Sequence, residues 1–138
     1  MAMHSALHRN KSSRVPVLIV DDHALVRNEI RSMLKGHADI HIVGEASNGF
    51  EAIELVQQLH PHIVVMDINM PKMNGIEATA QIRSRYPDII IIGLSVNGNA
   101  PYQTIMKRAG AARLILKDEA PERLYDVIHD TMKIQERS

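Results

Sequence analysis

Short runs of apolar, mostly β-branched residues alternate along this chain with amphipathic stretches, and this alternation constrains the fold more than any other feature. Four runs are almost entirely apolar and lie at residues 17–20, 63–66, 89–92 and 114–116. A fifth run, at 40–43, contains His41, as a strand at the edge of a sheet would. Continuous apolar runs are typical of strands buried on both faces. The alternation predicts five βα units that form a parallel sheet with helices on both faces.

Apolar residues at helical spacing follow each run and predict the five helices. The five stripes are Leu25/Ile30/Met33/Leu34, Ala52/Leu55/Val56/Leu59, Ile76/Thr79/Ile82, Tyr102/Ile105/Met106/Ala109 and Leu124/Val127/Ile128/Thr131. Gly or Pro residues separate the stripes from the runs that flank them, as expected for turns. Parallel sheets of this kind bind their ligands outside the carboxyl ends of the strands.

The charge distribution divides the chain into two unequal parts. Sixteen basic and 16 acidic residues give a net charge of +0, but residues 1–14 carry three basic residues and no acid. We therefore expect residues 1–14 to be a flexible lead-in and 15–135 to form one folded domain. Residues 136–138 are expected to be its end or the start of a linker. At 138 residues, the chain has room for a single core.

Composition excludes several classes of function. Zero net charge and 3% aromatic residues do not favour direct nucleic-acid binding. Because the chain has no Cys, it has no disulfides, thiolate zinc sites or Cys nucleophile. The longest apolar run, at 89–94, is too short to span a bilayer. No cleavable apolar leader is evident, so we expect a cytoplasmic protein with no membrane partner.

Five polar residues lie where apolar runs end, and they are Asp21, Asp22, Asp67, Ser95 and Lys117. Taken singly, each has an ordinary structural interpretation. Asp22 suits a helix N-cap, Asp67 and Ser95 suit turns, and Lys117 suits a solvated surface. A parallel sheet would instead bring all five to one edge.

Together, these residues predict a cation site. Three carboxylates at one edge would repel each other unless a cation lay among them, and oxygen ligands favour Mg²⁺ or Mn²⁺. This combination suits phosphoryl transfer, which requires neutralised charge and fixed geometry. In this interpretation Asp67 is the nucleophile, and Asp21 and Asp22 hold the metal. Lys117 pairs with a phosphoryl oxygen, and Ser95 donates a hydrogen bond to another.

The motifs resemble those of the receiver domains of two-component signalling, over roughly residues 16–134. They are Val20-Asp-Asp-His23, Met66-Asp-Ile-Asn-Met-Pro-Lys-Met-Asn-Gly75, Gly93-Leu-Ser95, Lys107-Arg-Ala-Gly-Ala111 and Leu116-Lys117. The D-x-x-M-P-x-M-x-G pattern around Asp67 is highly specific. The resemblance implies a flavodoxin-like, doubly wound, five-stranded parallel sheet in the order 2-1-3-4-5 with five helices. Asp-Asp-His, residues 44–49 and residues 117–121 are similar to receivers of LuxR-type (NarL/FixJ-like) transcriptional regulators.

The resemblance also implies a function and a ligand set. Asp67 would accept a phosphoryl group from a histidine kinase or a small phosphodonor. Mg²⁺ would be bound by Asp21, Asp22, Asp67 and the backbone carbonyl of Asn69. Ser95 and Lys117 would sense phosphorylation and switch the surface formed by the fourth helix, fifth strand and fifth helix. The domain would be a signalling phosphoacceptor rather than an enzyme. The resemblance is also compatible with a homodimer and with a LuxR-type DNA-binding domain outside this chain.

Two positions depart from the family pattern. Leu114, preceded by Arg113, stands where Tyr or Phe is frequent, which raises a question about aromatic coupling between the site and the output surface. Val96 stands after Ser95 where Ala or Gly is usual, and its bulk would slow access to the site.

Three alternatives to the phosphoacceptor stay open. A receiver-like module could act without phosphorylation. A haloacid dehalogenase-type phosphatase would need an acid where Asn69 stands, because Asn cannot donate a proton to the leaving group. A flavodoxin would need Gly and hydroxyl residues in the first strand–helix loop, which instead carries acids. For the eight histidines, His23 among them, we favour structural roles over ligand roles, with His23 exposed beside the acidic pair.

Overall fold

The computed structural model describes residues 14–137, which form five strands and five α-helices in strict alternation. In chain order, they are β1 (Val15–Val20), α1 (Ala24–Lys35), β2 (Ile40–Ala46), α2 (Gly49–Leu59), β3 (Ile63–Asp67), α3 (Gly75–Arg85), β4 (Ile90–Ser95), α4 (Ala100–Ala109), β5 (Arg113–Leu116) and α5 (Ala120–Arg137). A short 3₁₀ turn, Lys117–Glu119, precedes α5. The predicted flexible lead-in lies outside the described residues except for Arg14, and the predicted boundary at 135 falls within α5.

The strands form one parallel sheet in the order β2-β1-β3-β4-β5, which confirms the predicted flavodoxin-like topology and places β2 at an edge. β3 is buried along its whole length and lies between β1 and β4. Because all strands point the same way, their carboxyl ends meet at one edge of the sheet. Asp21, Asp67 and Lys117 are carried to that edge by β1, β3 and β5.

Two apolar clusters cover the two faces of the sheet. On one face, α1 and α5 contribute Ile30, Leu34, Leu124, Val127 and Ile128. On the other face, α2, α3 and α4 contribute Val56, Ala78, Ile82 and Met106, among others. Alternate residues of each strand point into opposite clusters, so the sheet forms the middle layer of both.

The pairing of β1 with the edge strand contains a register shift. Val17 pairs with Ile42 but Leu18 pairs with Gly44, so Val43 is an extra residue in β2. After this bulge, Glu45 lies opposite Ile19, and its side chain contacts helix α1.

Some residues of the predicted helical stripes are not buried. Leu25 is 77% exposed and Ile105 is 42% exposed, whereas Ile30 and Met106 of the same stripes are fully buried. Between residues 14 and 137, no helix is both long and apolar enough to cross a membrane.

Candidate acidic site

The candidate site is built where β1 and β3 end. Asp21 directly follows β1, and its backbone N–H donates to the carbonyl of Ala46 at the end of β2. Asp67 is the last residue of β3, and the next N–H, of Ile68, donates to the carbonyl of Leu94 in β4. These bonds continue the sheet pairing beyond the strands, so both carboxylates are attached to a rigid frame. Asp21 is 0% exposed and Asp67 is 1% exposed.

Lys117 bridges these two buried carboxylates. Its Nζ lies 3.0 Å from Asp21 Oδ2 and 3.2 Å from Asp67 Oδ1. Burial opposes the charged ammonium, but the hydrogen bond to Asp21 and the charges of Asp67 and Asp21 raise the pKa of Lys117 above its usual value. The lysine predicted to be either a solvated side chain or part of the site therefore belongs to the site.

The two oxygens of the Asp67 carboxylate have different surroundings. Oδ1 accepts a hydrogen bond from the backbone N–H of Asn69 at 3.2 Å in addition to its contact with Lys117. Oδ2 is buried and has no hydrogen-bond partner within the described chain. Burial raises the pKa of Asp67 to about 6, and the negative charge of Asp21 adds to this rise while Lys117 opposes it.

The loop after Asp67 is held close to the sheet by a glycine. The N–H of Gly75 donates to the carbonyl of Ile68 at 3.1 Å, and a Cβ at position 75 would lie 2.1 Å from the backbone oxygen of Asp67. Only glycine therefore fits at the start of α3. The Asn74 side chain caps the helix by accepting from the N–H of Glu77.

Asp22 is not the cap of helix α1, which was its ordinary interpretation. His23 occupies the N-cap position with an extended backbone, and within residues 14–137 no side-chain hydrogen bond caps the helix there. The Asp22 side chain is 25% exposed, and its Oδ1 lies 3.1 Å from His23 Nδ1. Asp22 is thus available as a ligand at the mouth of the site.

Ser95 ends β4 beside Asp67 and is fully buried. Its Oγ donates to the carbonyl of Asn97 at 2.8 Å and accepts from the Asn97 N–H at 3.0 Å, which is the turn role open to a serine at this place. To donate to a ligand, the hydroxyl must exchange the Asn97 carbonyl for it. Val96 is 77% exposed, and the half-buried Leu114 packs over Gly93 with Met106.

A network of charged side chains behind the site was not predicted from the sequence. Arg27 of α1 donates from a terminal nitrogen to the backbone carbonyl of Asp21 at 2.6 Å, and its Nε lies 3.0 Å from Glu45 Oε1. Arg31 binds the other Glu45 oxygen, and its hydrogen bonds lower the pKa of this carboxyl. The available signal was the placement of Arg27 one helical turn after His23, with Glu45 near the end of the adjacent run.

The charge balance and donor types of the site fit a divalent cation. Asp21, Asp22, His23 and Asp67 each offer one ligand atom, and these atoms lie within 4.8 Å of one another. Three carboxylates face one ammonium, and Asp67 Oδ2 is a buried acceptor with no hydrogen-bond donor in the described part of the chain. Oxygen-rich sites of this kind suit Mg²⁺ or Mn²⁺.

Comparison with known families defines the class of protein that has this fold and site. Residues 17–129 match the sequence model of the family described as the response regulator receiver domain. The chain therefore belongs to the response regulator receiver family.

Two relatives with curated names are regulators that are longer than this chain. The chain is 33% identical over 126 residues to the transcriptional regulatory protein DegU of Brevibacillus brevis, covering 91% of this chain and 52% of DegU. It is 35% identical over 113 residues to the nitrate/nitrite response regulator protein NarL of Escherichia coli strain K12, covering 82% of this chain and 52% of NarL. The chain thus spans about half the length of these relatives. Both names support the predicted similarity to receivers of transcriptional regulators.

Solved structures agree with this membership. The response regulator domain of Thermotoga maritima CheB is similar with a TM-score of 0.81 and 30% identity, covering 87% of this chain and 97% of that domain. The signal receiver domain of the putative response regulator NarL from Mycobacterium tuberculosis has a TM-score of 0.83 and 28% identity, covering 88% and 98%. The chain is a receiver domain consistent with two-component signalling, and receivers of transcription regulators are signalling modules.

Proposed function

We propose that Asp67 accepts a phosphoryl group and that this reaction switches the domain between two signalling states. One observation carries this proposal: Asp67 Oδ1 is engaged by Lys117 and the Asn69 N–H, whereas Oδ2 is buried and has no hydrogen-bond partner among residues 14–137. A carboxylate held by one oxygen presents the other oxygen as a nucleophile.

Asp21, Asp22, Asp67 and the backbone carbonyl of Asn69 are the proposed ligands of Mg²⁺, with Mn²⁺ as a substitute. The fit rests on the excess of carboxylates over cations in the site. When bound, the ion neutralises charge on the phosphoryl oxygens as they approach the acidic site. The lowered repulsion between Asp21 and Asp67 also favours the ionised, nucleophilic form of Asp67.

The proposed reaction uses few residues of this chain. A lone pair on Asp67 Oδ2 forms a bond to phosphorus, while the bond from phosphorus to the histidine nitrogen of a kinase, or to the leaving oxygen of an acyl phosphate, breaks with its electron pair. Lys117 exchanges its contact with Asp67 Oδ1 for a phosphoryl oxygen. Ser95 exchanges the Asn97 carbonyl for another.

The proposed readout is a change at the surface formed by α4, β5 and α5. Ser95 immediately precedes the loop to α4, and Lys117 immediately follows β5, so both groups link the site to that surface. A sensor histidine kinase is the proposed phosphodonor. A DNA-binding output domain outside this chain is proposed because the match covers only 52% of DegU and of NarL, which are named as regulators. Homodimers of the domain are compatible with this function.

Intact-mass measurement tests the proposal. The wild-type chain is incubated with Mg²⁺ and an acyl phosphate, and with its phosphorylated kinase, beside Asp67→Asn and a sample containing EDTA. We expect the wild type to gain the mass of one phosphoryl group and both controls to gain none. An unchanged wild-type mass with donors that label a working receiver would contradict the proposal, as would equal labelling of Asp67→Asn.

The other candidate functions have less support from the site. Asn69 cannot provide the acid that a phosphatase of the aspartyl-phosphate type needs, and here its backbone only orients Asp67. A module independent of phosphorylation remains the second candidate because Leu114 is not aromatic. Absence of labelling in the experiment above would favour that module.

A further inference from the structure

His23 places an imidazole nitrogen among the carboxylates of the acidic site. Its side chain is 65% exposed, yet Nδ1 lies 3.2 Å from Asp21 Oδ1 and 3.1 Å from Asp22 Oδ1. The backbone N–H of His23 also donates to Asp21 Oδ1 at 2.9 Å. The residue is therefore fixed to the site by its backbone, while its ring faces the mouth.

The spacing of these groups suits one ion bound by both nitrogen and oxygen. Ligand atoms of Asp21, Asp22, His23 and Asp67 all lie within 4.8 Å of one another. Nitrogen and oxygen ligands bind first-row divalent metals at about 2.0–2.2 Å, so atoms on opposite sides of an ion are about 4 Å apart. A second observation points to a missing cation independently: Asp67 Oδ2 is almost fully buried and has no partner in the described chain.

We propose that His23 Nδ1 is a metal ligand of this site and that it selects transition ions such as Co²⁺, Ni²⁺ or Zn²⁺ over Mg²⁺. Imidazole suits these metals, and their affinity for mixed nitrogen and oxygen sites generally exceeds that of harder ions. Mg²⁺ prefers oxygen ligands and retains several waters, so it gains little from the ring. The inference rests on the metal site of the proposed function but adds a ligand and a selectivity to it.

Calorimetric titration of the whole chain with Co²⁺ and separately with Mg²⁺ tests this selectivity. The titrations use wild type, His23→Ala and His62→Ala at pH 8, because a metal-bound imidazole nitrogen must be free of its proton. His62 is a matched control, because it is an exposed histidine at the opposite edge of the sheet, just before β3.

We expect His23→Ala to weaken Co²⁺ binding about tenfold or more, as loss of metal-site groups does. Its Mg²⁺ affinity should change by less than about threefold. His62→Ala should leave both affinities unchanged. His23→Gln, which keeps a polar side chain but loses the ring, should behave as His23→Ala does if the ring nitrogen is the ligand.

Equal weakening of both ions in His23→Ala and His23→Gln would overturn the inference, because it would show that His23 only supports the loop. Unchanged Co²⁺ affinity, or no Co²⁺ binding by wild type, would overturn it as well. Phosphorylation of wild type with Mg²⁺ is measured separately. If wild type is phosphorylated but His23 gives no Co²⁺ selectivity, only the metal-ligand role of His23 is wrong. If the Co²⁺ selectivity is present but wild type is not phosphorylated, only the phosphoacceptor role of Asp67 is wrong.

Discussion

At position 67 a carboxylate is buried next to the carboxylate of Asp21, and this placement has a cost that depends on pH. Burial raises the pKa of Asp67 to about 6 from its ordinary value of 3.8, so ionising Asp67 destabilises the folded state relative to the unfolded one. Without a divalent ion, stability from this group is fully present below pH 3.8 and is lost as the pH rises through 6. The total change is about 3 kcal/mol.

Replacing Asp67 by asparagine is therefore expected to stabilise the domain. In EDTA at pH 7.5, Asp67→Asn should raise the free energy of unfolding by about 1–3 kcal/mol, and this gain should vanish near pH 3.5, where the wild-type carboxyl is protonated too. Urea denaturation at both pH values measures the effect, with the exposed Asp118→Asn as a control that leaves stability unchanged. A less stable Asp67→Asn at pH 7.5 would contradict the prediction.

Helix α1 and strand β2 together hold the backbone of Asp21 in place. Arg27 donates to the Asp21 carbonyl and pairs with Glu45, so a single side chain connects helix, edge strand and acidic loop. Arg31 also pairs with Glu45, but within residues 14–137 it makes no hydrogen bond or ion pair with Asp21. The two arginines therefore share a partner and differ in their reach to the site.

That difference allows a matched pair of variants. Arg27→Met should raise the Mg²⁺ dissociation constant about fivefold, because losing a charged hydrogen bond to the Asp21 backbone is worth about 1 kcal/mol or more. Arg31→Met should change it by less than about twofold, because Arg31 reaches only Glu45 among the described residues and a partly exposed ion pair contributes little. Calorimetry gives both constants, and denaturation shows whether each variant is folded. Equal effects of the two substitutions would exclude a positioning role for Arg27.

The strands and helices were predictable where local sequence determines them. Features that depend on packing between the helices and the sheet were harder to predict. β-branched runs at 17–20 and 63–66 specified central strands, and their polar ends specified the acidic edge. The exposure of Leu25 and the position of His23 as the N-cap were not predictable. Helical spacing indicates which residues share a face, but it does not indicate at which residue the helix starts or where its first turn contacts the sheet. The contacts of Glu45 with α1 depend on the bulge at Val43, and no local sequence pattern predicts this bulge.

Across the whole molecule, the two apolar clusters lie on opposite faces of one sheet. Each cluster contains side chains from the same strands, so the two clusters share their backbone support. Leu34 belongs to the cluster under α1 and α5, and Ile82 to the cluster under α2, α3 and α4. Both side chains are almost fully buried, and both clusters use alternate residues of the same strands. Loss of packing on one face is therefore felt on the other through β1, β3 and β4.

We expect the domain to unfold in a single transition whichever face is weakened. Leu34→Ala and Ile82→Ala should each lower the free energy of unfolding by about 2–5 kcal/mol. Amide hydrogen exchange should show reduced protection of the slowest amides in both α1 and α3 for each variant. Exposed Leu25→Ala serves as the control, with little effect on either helix. Protection lost only on the mutated face would show that the two faces unfold independently.

The extra residue Val43 gives the edge strand a role beyond pairing. Side chains alternate between the faces of a sheet, so without the bulge Val43 would pair with Leu18, Glu45 would lie opposite Val20, and its side chain would turn away from Arg27 and toward α2. The bulge thus decides which helix the Glu45 carboxylate meets. A substitution in β2 that favours regular pairing would therefore separate Arg27 from Glu45 without changing any residue of the acidic site.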